Sequence, residues 1–270
     1  MRGIRLPVHR RTPPTVTRTE LPPSDRAPDV CALRLEYTSC GDWVPTRLLH
    51  PAGRGPFPLV LLQHALGGSK QDADLDRIAA HLARAGAAVA SLDFPLHGER
   101  SNPKLSARFA AAVSRAQRGE AVPDAGWLGS IAAQAVEDLS RALDALGEQP
   151  EVDAERIGYA GLGLGASLGA RFCSEDARPR AVVLCLCGGG VGPAELDAAR
   201  YIGGIAPRPV LLVNPRRDAA LPAGAADALF AAAREPKREI RCGDRGAALA
   251  ADAWDGISGF LEDALRSGGG

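Results

Sequence analysis

The sequence predicts an α/β protein with a mostly parallel central sheet and helices on both faces. Three observations predict it. Apolar runs of strand length take turns with longer amphipathic stretches through most of the 270 residues. Several of these runs, such as "FPLVLLQHA" beginning at Phe57, are apolar almost throughout, as strands buried on both faces are. Two leading strands are followed by repeated strand–helix units, the connection that parallel strands require.

Taken in order, "MRGIRLPVHRRTPPTVTRTELPPSDRAPD" is rich in Pro, Arg and Thr and has little to bury, so residues 1–28 are expected to be a disordered, solvated extension. The domain then runs from 29 to 270. "CALRLEYTS" alternates and reads as an edge strand. "WVPTRLLHP" follows across Gly41-Asp42, a hairpin-type turn. After the Phe57 strand, Asp74 to Ala85 is amphipathic, and "AAVASLDF" is another buried strand. Residues 99–126 read as irregular with Ala/Arg helical stretches, a candidate lid. Trp127 to Leu146 carries apolar residues at Ile131, Ala135, Leu139 and Leu143, which is helical spacing. The strand "RIGYA", a glycine turn and a small-residue helix follow. Then come the strands "AVVLCLC" and "RPVLLVNP", a helix over 223–234, the strand "REIRC" and a last amphipathic helix over 252–265.

Lys+Arg and Asp+Glu each number 32, which gives no support for nucleic acid or an anionic membrane as a partner. No apolar run is long enough to span a bilayer, and residues 1–28 lack the continuous apolar core of a secretory signal, so a cytoplasmic location is expected. The six cysteines form no C-x-x-C pair and no Cys/His cluster with zinc spacing; buried, reduced thiols are expected, with no metal and no cofactor. Cys185 and Cys187, two apart on one strand, are expected to share a face. The expected partner is a small-molecule ligand or substrate, and the oligomeric state is not legible.

Four stretches together resemble the α/β-hydrolase superfamily, near its dienelactone-hydrolase-like and acyl-esterase branch: "VLLQHALGGSKQD", "SLDFPLHGERS", the strand–turn–helix around Gly163, and "PRPVLLVNPRRDAALP". The resemblance spans about residues 31–267. It implies an α/β-hydrolase fold and small ester, lactone or acyl ligands. In that family a serine on a sharp elbow attacks, a histidine takes its proton, a carboxylate orients the histidine, and two backbone amides hold the oxyanion.

Carried over, the resemblance places the elbow nucleophile at Gly163, which has no side chain. The acid falls at Asp218. The histidine position falls at Ala247, with Arg245 the nearest polar alternative. The five histidines are His9, His50, His64, His81 and His97, so none follows the acid. The oxyanion amides map to Leu66 and Leu164, and Ala65 stands where the family usually has glycine. Serine hydrolysis by the usual triad is therefore not expected.

Substitutes can be weighed. Ser167, one turn past the elbow, reads as a packing residue. Cys187 lies at a strand end near the site, either as a buried thiol or as a nucleophile. His64 begins the oxyanion loop, where it would fix the loop. His97 beside Asp93 and Glu99 is either a loop-fixing residue or an acid/base. Asp218 is a relic or a loop-capping residue, or else it binds a donor group of the ligand or acts as a base. Gly161-x-Gly163-x-x-Ala166 also fits a relaxed dinucleotide fingerprint, but no acidic residue follows at the ribose-binding distance. The expectation is a non-hydrolytic enzyme (lyase, cyclase or isomerase). The alternatives are a pseudoenzyme that binds a small molecule or protein, and a weak esterase with a displaced nucleophile.

Overall fold

The computed structural model describes residues 12–22, 28–118, 120–216, 221–243 and 251–266. Asp218, Arg245 and Ala247 lie outside the described residues.

Nine strands form one sheet: β1 (Thr17–Leu21), β2 (Val30–Ser39), β3 (Asp42–Pro51), β4 (Phe57–Gln63), β5 (Ala88–Leu92), β6 (Val152–Leu162), β7 (Pro179–Cys185), β8 (Val210–Pro215) and β9 (Lys237–Cys242). Their order is β1-β2-β3-β5-β4-β6-β7-β8-β9. The first three pair antiparallel, β3 meets β5 antiparallel, and from β5 to β9 every pairing is parallel. The helices are α1 (Ala73–Arg84), α2 (Pro103–Gln117), α3 (Ala125–Leu146), α4 (Leu164–Glu175), α5 (Ala225–Ala232) and α6 (Ala251–Leu265).

The period of two along the strands divides the core in two. Leu59, Leu61, Tyr159, Val182 and Leu184 face α2, α3, α4 and α5. Val60, Leu62, Ala160, Val183 and Leu211 face α1 and α6. The central strands are thus covered on both sides, which is why they read as unbroken apolar runs.

Four features depart from the expectations. Thr17–Leu21, within the stretch expected to be disordered, pairs with β2 along its whole length, so β2 is not the edge strand. Four of its five residues are exposed, and it is held by the ladder and by Arg18, whose guanidinium donates twice to Glu151. The β2–β3 turn centres on Cys40-Gly41, at φ 50° and 76°, one residue earlier than Gly41-Asp42. Both residues are left-handed, as a two-residue hairpin loop of the tighter kind requires. The 99–126 stretch is largely helical: Asn102 caps α2 through Leu105 N, Pro103 opens it, and Phe109, Ala112, Val113 and Ala116 enter the core. Finally, Cys185 and Cys187 do not share a face. Leu186 at φ 55° turns the chain, so Cys185 joins the α1/α6 side and Cys187 the α4 side.

No helix among the described residues is long and apolar enough to cross a membrane. Among them, no group of three or more His, Cys, Asp or Glu is placed to hold a metal ion. The six cysteines are all unpaired.

Candidate functional site

β6 ends at Leu162 and α4 begins at Leu164, so the whole reversal is made at Gly163, at φ 51° and ψ −107°. A side chain at that φ is strained; glycine is not. The neighbouring glycines are needed for another reason. A Cβ at Gly161 would lie 2.4 Å from the Gly165 carbonyl oxygen, and one at Gly165 would lie 2.8 Å from the carbonyl oxygens of Gln63 and His64. A Cβ at Gly163 would meet Ala65 Cβ at 3.4 Å. The elbow is clamped by three hydrogen bonds: Gly163 N to Cys185 O at 2.9 Å, Gly165 N to His64 O at 3.1 Å, and Tyr159 Oη to Gly165 O at 2.6 Å. The glycine pattern thus serves close strand–helix packing, which accounts for it without a dinucleotide.

The amides of Leu66 and Leu164 flank this elbow, one on the loop after β4 and one at the first residue of α4. Neither has an acceptor among the described residues. Leu164 is buried and Leu66 half-buried.

His64 fixes its loop with both nitrogens. Nδ1 donates to Ala65 O at 2.8 Å, and Nε2 accepts from Phe94 N at 3.2 Å. Burial pushes its pKa down to about 4, so the ring is neutral at pH 7. His97 differs. Its Nδ1 donates to Pro95 O at 2.9 Å, which fixes the tautomer and leaves Nε2 as a lone pair with no partner among the described residues. Burial also lowers the His97 pKa. The two rings lie 5.1 Å apart, and Phe109 packs edge-on against His97 at 5.7 Å. His50 and His81 sit on β3 and on the exposed face of α1, away from this end.

The loops after β4 and β5 are stitched through Lys70, which the sequence did not single out, and through Asp93 and Glu99. Lys70 is buried, and its Nζ donates to Asp93 Oδ2 at 2.6 Å and to Glu99. Asp93 also accepts from Lys70 N at 2.8 Å and Glu99 N at 3.0 Å. Gly98, at φ 51°, leaves the room this carboxylate fills, since a Cβ there would lie 2.3 Å from Asp93 Oδ1. A cleft of about 310 Å³ opens between the two loops and α2, lined by Ser69, Asp72, Leu96, His97, Ser101 and Ser106 among others. Leu96 lines it at φ 66°.

Cys187 is buried rather than accessible. Its thiol lies 3.4 Å from Ser167 Oγ, and burial pushes its pKa up to about 11. Asn214 locks its backbone, accepting from Cys187 N at 2.9 Å and donating to Cys187 O at 3.1 Å. Ser167 N makes the first helical bond of α4, to Gly163 O. The structure therefore brings Gly163, Leu66, Leu164, His64 and His97 to the carboxyl end of the sheet, where sites in such folds form. It leaves Cys187 beneath that end, tied to Ser167.

No family model and no curated protein matches the sequence. Solved structures do match. A cold-adapted esterase from an Arctic intertidal metagenomic library is 21% identical, with a TM-score of 0.72 over 88% of this chain and 95% of that one. An acetyl xylan esterase from a Paenibacillus species is 18% identical, with a TM-score of 0.74 over 94% and 90%. Acetyl xylan esterase 1 from a Thermoanaerobacterium species is 16% identical, with a TM-score of 0.70 over 94% and 89%. Strand order, glycine elbow and these likenesses agree: the chain has the α/β-hydrolase fold.

Proposed function

We propose that this protein binds a small carbonyl compound of the ester, lactone or acyl type and moves a proton on it without hydrolysing it, as a lyase, cyclase or isomerase. The ligand carbonyl oxygen would accept from the amides of Leu66 and Leu164. His97 Nε2 would take a proton from the carbon beside that carbonyl. The electron pair left behind moves to the carbonyl oxygen, where the two amides stabilise the negative charge. The proton then returns to another atom of the ligand.

One observation carries this reading: the His97 tautomer is fixed by Pro95 O, burial lowers its pKa, and the residue lines a cleft beside the oxyanion loop. The elbow supports the non-hydrolytic half. Gly163 has no atom with which to form an acyl-enzyme, and no histidine follows residue 97. Burial and a raised pKa at Cys187 argue against a displaced thiol nucleophile. Asp218 remains in this proposal as a second polar group for the ligand.

The test is deuterium exchange. Small esters and lactones with an acidic C–H are incubated with the protein in D₂O and followed by proton NMR. Loss of the C–H signal with wild type and not with His97→Gln is the expected result. Equal exchange rates with and without the imidazole would overturn it.

A further inference from the structure

Asp72 stands at the N-cap of α1 without capping it. Aspartate there ordinarily accepts from the amides of the first turn. Here the side chain makes no such bond. Instead Oδ1 accepts from Ser69 Oγ at 2.9 Å, and Oδ2 has no partner among the described residues. The carboxylate lies over Gly68, where a Cβ would approach Oδ2 to 2.3 Å. Gly68, Asp72 and His97 all line the same cleft.

The charge of that cleft is one-sided. Among the described residues, Asp72 is the one charged side chain in its lining. Lys70 comes from the same loop, but it is not among the lining residues, and its ammonium is buried and held by Asp93 and Glu99. Ser106 Oγ is committed, donating to Leu96 O and accepting from Asn102 N. Among the described lining side chains, the groups left to meet a ligand are the Asp72 carboxylate oxygen, His97 and the Ser101 hydroxyl. The Asp72 charge also acts on His97. A free carboxylate oxygen, with no cation among the described lining residues, selects a ligand end that is positive and rich in donors.

We propose that the cleft holds a primary ammonium group of the ligand, with Asp72 as its counter-ion. The volume of about 310 Å³ suits a short ligand, near the lower end of the roughly 300–1,000 Å³ usual for small-molecule sites. The ligand class is then a small amino-bearing ester, lactone or acyl compound. This rests on the proposed function only for the carbonyl end; the ammonium site stands on Asp72.

The experiment compares β-alanine methyl ester with methyl butanoate, its uncharged isostere, by ligand-observed NMR titration of the full chain. Wild type should bind the ammonium compound about tenfold more tightly, the worth of one hydrogen bond to a charged group. Asp72→Asn should abolish the difference. Asparagine is as good an N-cap as aspartate, so the fold is kept, and circular dichroism checks it. Equal affinity for the two compounds, no binding of the ammonium compound at millimolar concentration, or a preference that survives Asp72→Asn would overturn the proposal. The two readings fail separately. An Asp72-dependent preference without proton exchange sinks the catalytic reading alone. His97-dependent exchange without the preference sinks this one alone.

Discussion

Lys70 and Asp93 form a buried ion pair, Nζ to Oδ2 at 2.6 Å, joining the loop that follows β4 to the loop that follows β5. Neither side chain is more than 2% exposed. Removing Asp93 leaves the buried Lys70 ammonium with Glu99 alone and takes the acceptor from Lys70 N and Glu99 N. Asp93→Ala should therefore cost about 3–5 kcal/mol, read by denaturant unfolding. Adding Lys70→Met to that variant should recover part of the loss, because the buried, half-compensated ammonium goes too. A double variant less stable than Asp93→Ala would mean that Lys70 has another role.

The same network sets the acid sensitivity. Hydrogen bonds from Arg34, with Lys70 adding to them, hold the Glu99 carboxyl down to about 2, against an ordinary value of 4.5. His64, desolvated, sits at about 4 against 6.5. In both cases the folded value lies below the unfolded one, so the unfolded chain takes up protons first and stability falls as pH falls. The His64 contribution is lost from about 6.5 down to about 4, and the Glu99 contribution from about 4.5 down to about 2. Unfolding midpoints measured across this range should show both declines. Glu99→Gln should flatten the lower one and leave the upper one in place.

The glycines of the elbow should respond unequally. Gly165→Ala drives a methyl into two backbone carbonyls and Gly161→Ala drives one into a third, none of which can swing aside. Each should cost about 1–3 kcal/mol or more. Gly163→Ser meets only Ala65 Cβ at 3.4 Å, and its cost is the left-handed backbone, about 1–3 kcal/mol. The thermal midpoint of Gly163→Ser should lie above that of Gly165→Ala. The reverse order would displace the elbow from Gly163.

Gln63 is fully buried at the end of β4, and neither polar atom of its amide has a partner among the described residues. An unpaired buried amide costs about 1–3 kcal/mol. Gln63→Met keeps the length and removes the unpaired groups, so it should raise stability by about that much in a urea titration. A loss of stability instead would show that the amide is paired in solution.

How much of this was legible before the structure depends on what kind of force fixes each feature. Val60, Leu61 and Leu62 are buried by strand packing on both faces, and an apolar run announces that directly. Gly163 was legible because a strand, a glycine and a helix leave no other place for the reversal. Thr17–Leu21 was not, because its pairing comes from the open edge of β2 and from Glu151, far along the chain. Cys187 was misplaced by a single torsion, φ 55° at Leu186, which no alternation pattern encodes. Asp72 carried no signal of its own in the sequence. Only the positions of Gly68 and Ser69 show where its carboxylate lies.

The central claim is that this end of the sheet transfers protons and does not cleave esters. It is tested most directly by following both reactions in one tube, deuterium uptake beside the carbonyl and release of the alcohol from the same ester, with wild type and His97→Gln side by side. The account predicts uptake without alcohol release in wild type, and neither with His97→Gln. Alcohol released by wild type at a rate matching or exceeding the uptake would contradict it.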